Sequence, residues 1–498
     1  MEWLYRNWKK FGKNFEEGGK LNWLSSFYDA FDTFLFTPQT TAKRLGTHIH
    51  DGSDSKRTMI IVVLALVPAL LFGMFNVGYQ HLLATGQLAA GMTAALWWKA
   101  FGFGFLAVLP YILVSYIVGL GIEFTVAQIK HEEVAEGFLV TGFIIPLIVP
   151  INTPLWQVAI ATAFAVIFAK EVFGGTGYNI FNVALITRAF LFFAYPSHMT
   201  GDEPFVRTGG TWGWDGGHAL VDGFSGATPL TQMSTGSAVE LGFWDLFNGL
   251  IPGSVGETCC WAILLGACLL LATGVASWKT MLSVFVGGGL TAWLFNQFGS
   301  EANLAAQYPW YMHLVSGGFA FGAVFMATDP VTSARTECGK YIYGFLIGLV
   351  AVLVRVLNPG YPEGMMLAIL LIATGVASWK TMLAIFVGGG LTAWLFNIGG
   401  NEANLAAQYP WYMHLVSGGF AFGAVFMATD PVTSARTECG KWIYGFLIGL
   451  VAVLVRVLNP GYPEGMMLAV LLMNAFAPLI DWCVVQANIN RRAKRVIK

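Results

Sequence analysis

The sequence predicts an all-α polytopic membrane protein. The fold class is a ten-span inverted-repeat bundle (5+5), extended to about fourteen spans by a near-identical tandem repeat. Three observations predict it. Only 11% of the 498 residues are charged and mean hydropathy is +0.63, whereas soluble domains carry about 25% charged residues. Apolar runs of 16 to 22 residues recur from Thr58 to the C-terminus. Such runs suit helices that cross a bilayer and satisfy their own backbone. Finally, residues 271–371 and 372–472 align without a gap and differ at 8 of 101 positions.

Residues 1–57 form a polar N-terminal extension with nine Lys/Arg. Trp3, Leu4, Trp8, Phe11 and Phe15 recur there at roughly helical spacing among basic residues. That pattern suits an amphipathic helix on the inner membrane surface, or one that docks against another protein of a complex. The pair His48 and His50 lacks further ligands for a metal site, and no metal is expected. The six cysteines form no CxxC pair. Most lie in or beside predicted spans, which favours packed thiols over disulfides or a cluster. Nothing points to nucleic acid, and no cleavable leader is evident.

The first half, 58–196, is read as spans near 58–77, 101–122, 136–151, 153–170 and 179–196. A polar loop, 197–255, follows. The second half, 256–371, holds spans near 257–277, 281–297, 313–328 and 341–356, with 271–371 the first repeat unit. The second unit, 372–472, adds a hybrid span, Gly364 to Trp379, and spans near 381–397, 414–429 and 442–457. The last span, near 464–485, runs into a basic tail within 473–498. With the N-terminus inside, the inner loops carry Lys130, Lys170, Lys279, Arg335, Lys340, Lys380, Arg436 and Lys441. The tail adds Arg491, Arg492, Lys494, Arg495 and Lys498. The outer loops hold only Lys99, Arg207, Arg355 and Arg456. This positive-inside pattern puts both termini in the cytoplasm and loop 197–255 outside. Four spans per unit preserve that parity. An odd five spans per half inverts one half against the other, as in transporters with a site between halves.

Within the outer loop stands Asp222-Gly223-Phe224-Ser225-Gly226-Ala227-Thr228. Its small residues leave the backbone open, ready to wrap a phosphate with N–H groups or to lie extended in a modifying enzyme. A plain Gly/Ser/Thr turn would use the same residues. Arg188 falls inside a span, where a charge is costly and normally paired. A bound phosphate, Asp329 or Asp430 can serve as its partner. Gly174-Gly175-Thr176-Gly177 lets backbone approach a ring closely, and Asn179 and Asn182 can hydrogen-bond a ring's amide edges. An isolated GGTG between spans is no dinucleotide fold.

The run Lys170–Asn179, with Asn182 and Arg188–Pro196, resembles the B subunit of the sodium-translocating NADH:quinone oxidoreductase. So do His131–Phe138, Ala327–Val331, Asn358–Met366 and the DGFSGAT motif. The D subunit of the Rnf ferredoxin:NAD oxidoreductase is similar in fold and threonine motif but lacks an extension like 1–57. The resemblance implies FMN joined through its phosphate to Thr228 by a flavin transferase. It also implies a non-covalent riboflavin and a ubiquinone site near the inner side. Na⁺ export, partner subunits of the complex and a bacterial inner membrane are implied with them. Gly137, Phe138 and Thr141 open span three, where the quinone pocket is expected. Glu136 and Asp481 are the carboxylates offered to the cation path. The family has ten spans, so one repeat unit is surplus. A solute carrier with inverted repeats is the rival reading.

Overall fold

The computed structural model describes residues 55–498 apart from 89–90, 131–136, 180, 200, 202, 213, 216–219, 222–223, 236–241, 300–302, 358–363, 374–377, 400–407, 418, 430–432, 460–464 and 497–498; residues 10–12 and 28 are also described. The expectations for the N-terminal helix, His48, His50, Glu136, Asp222, Gly223 and Asp430 therefore concern residues outside those described.

The chain is an all-α, multi-pass membrane protein. Among the described residues there is no β-strand beyond one isolated bridge, and seven helices are long and apolar enough to cross a membrane. It divides into two compact units, 1–282 with 308–341, and 283–307 with 342–498. The first repeat copy is thus shared between them.

The first unit contains α1 (Ser55–Ala84), α2 (Ala94–Lys130), α3 (Phe138–Ile148), α4 (Leu155–Ala169), α5 (Val183–Ala194), the short α6 (Pro229–Thr235) and α7 (Phe243–Asn248), and α8 (Cys260–Ala272). Small residues let the long helices nearly touch. A Cβ on Gly104 would sit 1.7 Å from the Met74 carbonyl oxygen, and one on Gly266 would sit 2.3 Å from that of Ala65. Lipid offers no hydrophobic drive for helix association, so such close packing supplies the attraction.

Three expected spans are shorter than predicted. Those over 136–151, 179–196 and 257–277 become α3, α5 and α8, of 11, 12 and 13 residues. At 1.5 Å per residue each covers only about 20 Å or less. Pro150 and Pro154 bound the turn after α3, while Asn182 caps α5 and Pro196 follows it.

After α9 (Trp278–Phe298), the expected span over 313–328 is broken in two. Its pieces are α10 (Trp310–Val315) and α11 (Phe319–Phe321), the latter continuing into a π-turn over Gly322–Met326. Ser316-Gly317-Gly318 separates them. Irregular backbone of this kind is tolerated at membrane depth where protein buries it.

Next come α12 (Glu337–Leu357) and α13 (Gly364–Ala373). The second copy repeats the set as α14 (Trp379–Gly399), α15 (Trp411–Val416), α16 (Phe420–Phe422) with its π-turn, and α17 (Glu438–Leu458). The chain ends in α18 (Gly465–Val496). The seven membrane-length helices lie in α1, α2, α4, α12, α14, α17 and α18. α9 matches α14 in length but carries Ser283 and Gln297 where α14 has Ala384 and Ile398, and it is not among the seven.

In the second unit Ile385, Phe420, Tyr444, Ile448 and Met466 form the core. α14 and α17 touch through glycines: a Cβ on Gly388 would lie 2.3 Å from the Phe446 carbonyl oxygen. Buried Arg456 donates to the carbonyls of His414 at 2.6 Å and Ser417 at 3.0 Å. A cation thus meets the C-terminal end of α15, the favoured end for positive charge.

Candidate functional site

One cavity in the first unit gathers several of the residues singled out from the sequence. It is lined by Gly137, Val140, Thr141, Lys170, Thr176, Asn179, Asn182, Phe325, Thr328 and Asp329, with Thr58 and Met59 at its edge. It encloses about 830 Å³ of atom-free space, part of it open to solvent.

The turn after α4 builds one wall. Gly174, Gly175 and Gly177 have φ of 112°, 92° and 92°, which only glycine adopts without strain. Gly174 and Gly175 shape this turn but do not line the cavity. Asn179 and Asn182 do line it, though their amides are committed within the protein. Asn179 accepts from Gly177 N at 3.1 Å and donates to the Phe181 carbonyl at 2.9 Å. Asn182 caps α5, accepting from Ala184 N at 3.1 Å and Leu185 N at 3.3 Å. Its Nδ2 donates to Asp329 Oδ2 at 3.2 Å. Asp329 also accepts from Thr332 Oγ1 at 2.9 Å and Val331 N at 3.1 Å. Burial pushes its carboxyl above the ordinary range, and those three hydrogen bonds pull the other way.

Lys170 pairs with Glu123 of α2, both buried. The second carboxylate oxygen of Glu123 accepts no hydrogen bond among the described residues. Phe138 is fully buried, its ring centroid 6.0 Å from Lys170 Nζ, over Gly119, where a Cβ would meet the ring at 1.8 Å. In the sequence Lys170 stands out as a topology signal and as the start of the Lys170–Asn179 run, and Glu123 escapes notice. The available signal was a carboxylate inside an apolar helix.

The Thr228 segment lies elsewhere in this unit. Thr228 is 8% exposed and directly precedes α6. Its Oγ1 lies 3.1 Å from Thr231 Oγ1 and 3.4 Å from Thr231 N, the arrangement of a helix cap. Ser225 is exposed and Gly226 buried. Ser225 Oγ accepts from Ala227 N at 3.3 Å. Leu230 packs with Leu246, Ile251, Tyr308 and Met312. It also fills the space beside Gly317, where a Cβ would lie 1.9 Å from it. Gly317 and Gly318 have φ of 57° and 67°, so the broken helix turns on two left-handed glycines. A Cβ on Gly318 would meet the Glu257 carboxylate at 2.8 Å.

Glu257 is the ion-pair partner of Arg188, at 2.5 Å, with both side chains buried. This corrects the expectation of Asp329. Asp329 stands against Asn182 instead, one residue before α5 begins, and Asp430 is outside the described residues. Glu257 is inconspicuous in the sequence because it sits at a predicted span boundary, where a carboxylate costs little.

Asp481 lies within α18, as expected. Its carboxylate accepts from Arg436 N at 2.7 Å, Thr437 N at 2.9 Å and Thr437 Oγ1 at 2.6 Å. It thus holds Thr437, the N-cap residue of α17, whose hydroxyl accepts from Gly440 N. Among the described residues no cluster of three metal-ligating side chains occurs.

The profile of the NQR2, RnfD, RnfE family matches residues 43–374, covering the cavity, the Thr228 segment and the first repeat copy. The chain belongs to this family. The same profile matches again at 369–490, the second copy with most of α18. Curated relatives agree. The B subunit of the Na(+)-translocating NADH-quinone reductase of Chromohalobacter salexigens is 46% identical over 380 residues, 72% of this chain and 89% of the relative. The B subunits from Azotobacter vinelandii and Pseudoalteromonas atlantica are 43% and 44% identical, over 72% and 73% of this chain and 92% of each relative. In this member of the NQR2, RnfD, RnfE family, the described cavity and the glycine-broken helix sit in one unit.

Proposed function

We propose that this chain is the B subunit of a sodium-translocating NADH:quinone oxidoreductase in a bacterial inner membrane, with both termini cytoplasmic. The observation that carries the reading is a conjunction: B-subunit relatives match nearly three quarters of the chain, and the DGFSGAT segment ends on Thr228. Ten working spans, with one repeat unit in excess, remain the proposed architecture.

Thr228 is the proposed site of the FMN phosphoester. Asp222, Gly223, Ser225 and Gly226 form the segment a flavin transferase reads. The residues fit: an ester oxygen at Thr228 still accepts from Thr231 N, so the cap survives modification. Riboflavin is proposed for the cavity between the glycine turn and Asp329. Its lining of apolar side chains with polar groups from Thr141, Thr176, Asn182 and Asp329 suits a ring with a polar edge. Gly174 and Gly175 hold the turn, Asn179 and Asn182 face inward, and Arg188 is a fixed cation beside the broken helix. Flavins supply one- and two-electron transfer; this chain supplies their placement, charge environment and exclusion of water. Ubiquinone is proposed to meet Gly137, Phe138 and Thr141, with Glu136 and Asp481 on the Na⁺ path. Other subunits of the complex oxidise NADH, and lipid surrounds the long helices.

The test is flavin fluorescence of the denatured polypeptide on a gel, after co-expression with the flavin transferase. The band is expected at the mass of this chain and is lost in Thr228→Ala. A band that survives that substitution moves the attachment elsewhere. A matured but colourless chain makes a solute carrier the better reading. Because the family also includes RnfD, reduction of NAD by ferredoxin in place of quinone reduction would move the chain to that branch.

A further inference from the structure

Asp215, on the connection from α5 to α6, anchors a partly buried charge cluster that the cavity and the Thr228 segment do not use. Asp215 Oδ1 receives Lys99 Nζ at 2.8 Å, and Oδ2 receives Gln87 Nε2 at 3.2 Å. Lys99 also donates to Gln87 Oε1 at 2.5 Å. His81, wholly buried on the last turn of α1, places Nε2 3.4 Å from Asp215 Oδ2. Its ring stacks on Phe103 with centroids 3.9 Å apart.

The hydrogen-bond chemistry of His81 is one-sided. Its Nδ1 lies 2.8 Å from the Arg207 carbonyl oxygen, which only accepts, so Nδ1 carries a proton. A neutral ring then turns a bare lone pair on Nε2 toward a carboxylate. A second proton converts that repulsion into an ion pair. The other charges nearby are Lys99, already on Asp215, and the Arg207 side chain, which turns to the Tyr111 hydroxyl.

The backbone here is strained. Trp212 and Asp215 are the non-glycine residues with left-handed φ among those described, at 53° and 54°. Thr211 and Trp214 close the turn with paired hydrogen bonds of 3.0 and 2.8 Å. Bulky residues hold such angles only where their surroundings over-determine them. Trp214 does so by lying against Gly102, where a Cβ would meet its ring at 2.7 Å. Six residues after Asp215, Val221 N donates to the Ala84 carbonyl at 2.9 Å. The Thr228 segment begins directly after that bond.

We propose that the Thr211–Asp215 turn registers the Thr228 segment on the adjoining ends of α1 and α2, with Asp215 the positioning residue and Lys99, Gln87 and His81 the groups that hold it. The significance of this docking rests on Thr228 being the flavin site. Burial would raise the Asp215 carboxyl, but hydrogen bonds from Lys99 and Gln87 and the nearby positive charges outweigh it and hold the group low. The carboxylate therefore stays charged and holds the turn against Lys99 and Gln87.

The test uses the assembled complex carrying Ala227→Cys, a buried position beside Thr228. Labelling by a membrane-impermeant maleimide is read on the peptide that contains position 227, with rates corrected for thiolate fraction. The expected result is slow labelling, accelerated about tenfold or more by Asp215→Asn and partly restored by Asp215→Glu. If Asp215→Asn does not assemble, Lys99→Met must show the same acceleration. Unchanged rates in these variants overturn the proposal. Gel fluorescence of the same preparations separates the two readings: a matured chain without a flavin band sinks the Thr228 assignment, whatever the labelling rates show.

Discussion

Asn182 donates to Asp329 at 3.2 Å across 147 residues of sequence. That bond answers which repeat copy completes the cavity, because Asp329 belongs to the first copy and its counterpart Asp430 to the second. Phe325 and Thr328, also of the first copy, line the same cavity. Asp329→Ala should therefore lower riboflavin retention by roughly tenfold or more, the loss expected for a buried, charge-assisted hydrogen bond of about 1.5–3 kcal/mol. Asp430→Ala should leave retention unchanged. Flavin content after denaturing extraction of the purified complex checks both, and equal losses would mean that the copies share the site.

The Arg188–Glu257 pair is buried on both sides. Removing one partner strands a charge, which typically costs about 3–5 kcal/mol. Arg188→Met and Glu257→Gln should each lower the thermal midpoint sharply. The double variant Arg188→Met with Glu257→Met should recover much of the loss. Thermal unfolding in detergent reads this. A double variant as unstable as either single one would show that Arg188 answers to another group.

The Asp329 carboxyl is raised in the folded protein, chiefly by burial. A raised folded-state value makes the protonated form the stabilising one. Its contribution is complete below the unfolded carboxylate range, near about 3.9, and is lost as pH climbs through the folded value. Hydrogen exchange of the Phe325–Val331 backbone should quicken as pH rises, beyond the intrinsic rate change. Asp329→Asn should remove that excess, and an unaltered profile would contradict it.

Asp481 accepts two backbone N–H groups at the start of α17. Asp481→Ala should destabilise the second unit by roughly 1–2 kcal/mol, as loss of a helix cap does. Na⁺ dependence of turnover separates this role from the ion path. A shifted half-saturation for Na⁺ without loss of stability would place Asp481 on that path.

Much of the architecture was legible locally. Length and hydropathy of the apolar runs gave α1, α2, α4, α12, α14, α17 and α18, because a membrane-spanning helix satisfies its own backbone and announces itself residue by residue. The tandem repeat and the Thr228 segment needed only the order of residues. The glycine turn after α4 was legible for a related reason, since left-handed φ strongly favours glycine.

Partnership was not legible. Arg188 stood out as a buried charge, yet its partner Glu257 lies 69 residues away and only packing brings them together. Glu123 meets Lys170, and His81 meets Asp215, by the same route. The break at Gly317-Gly318 hid within an apolar run because hydropathy measures transfer from water and says nothing of backbone direction. The sequence by itself determined a many-helix membrane protein with a hydroxyl presented in a polar loop. The tertiary structure alone decided which carboxylate neutralises each buried cation and which of two near-identical copies closes the cavity, because a charge pairs with whatever neighbour the packing places within a few ångströms, however remote in the chain.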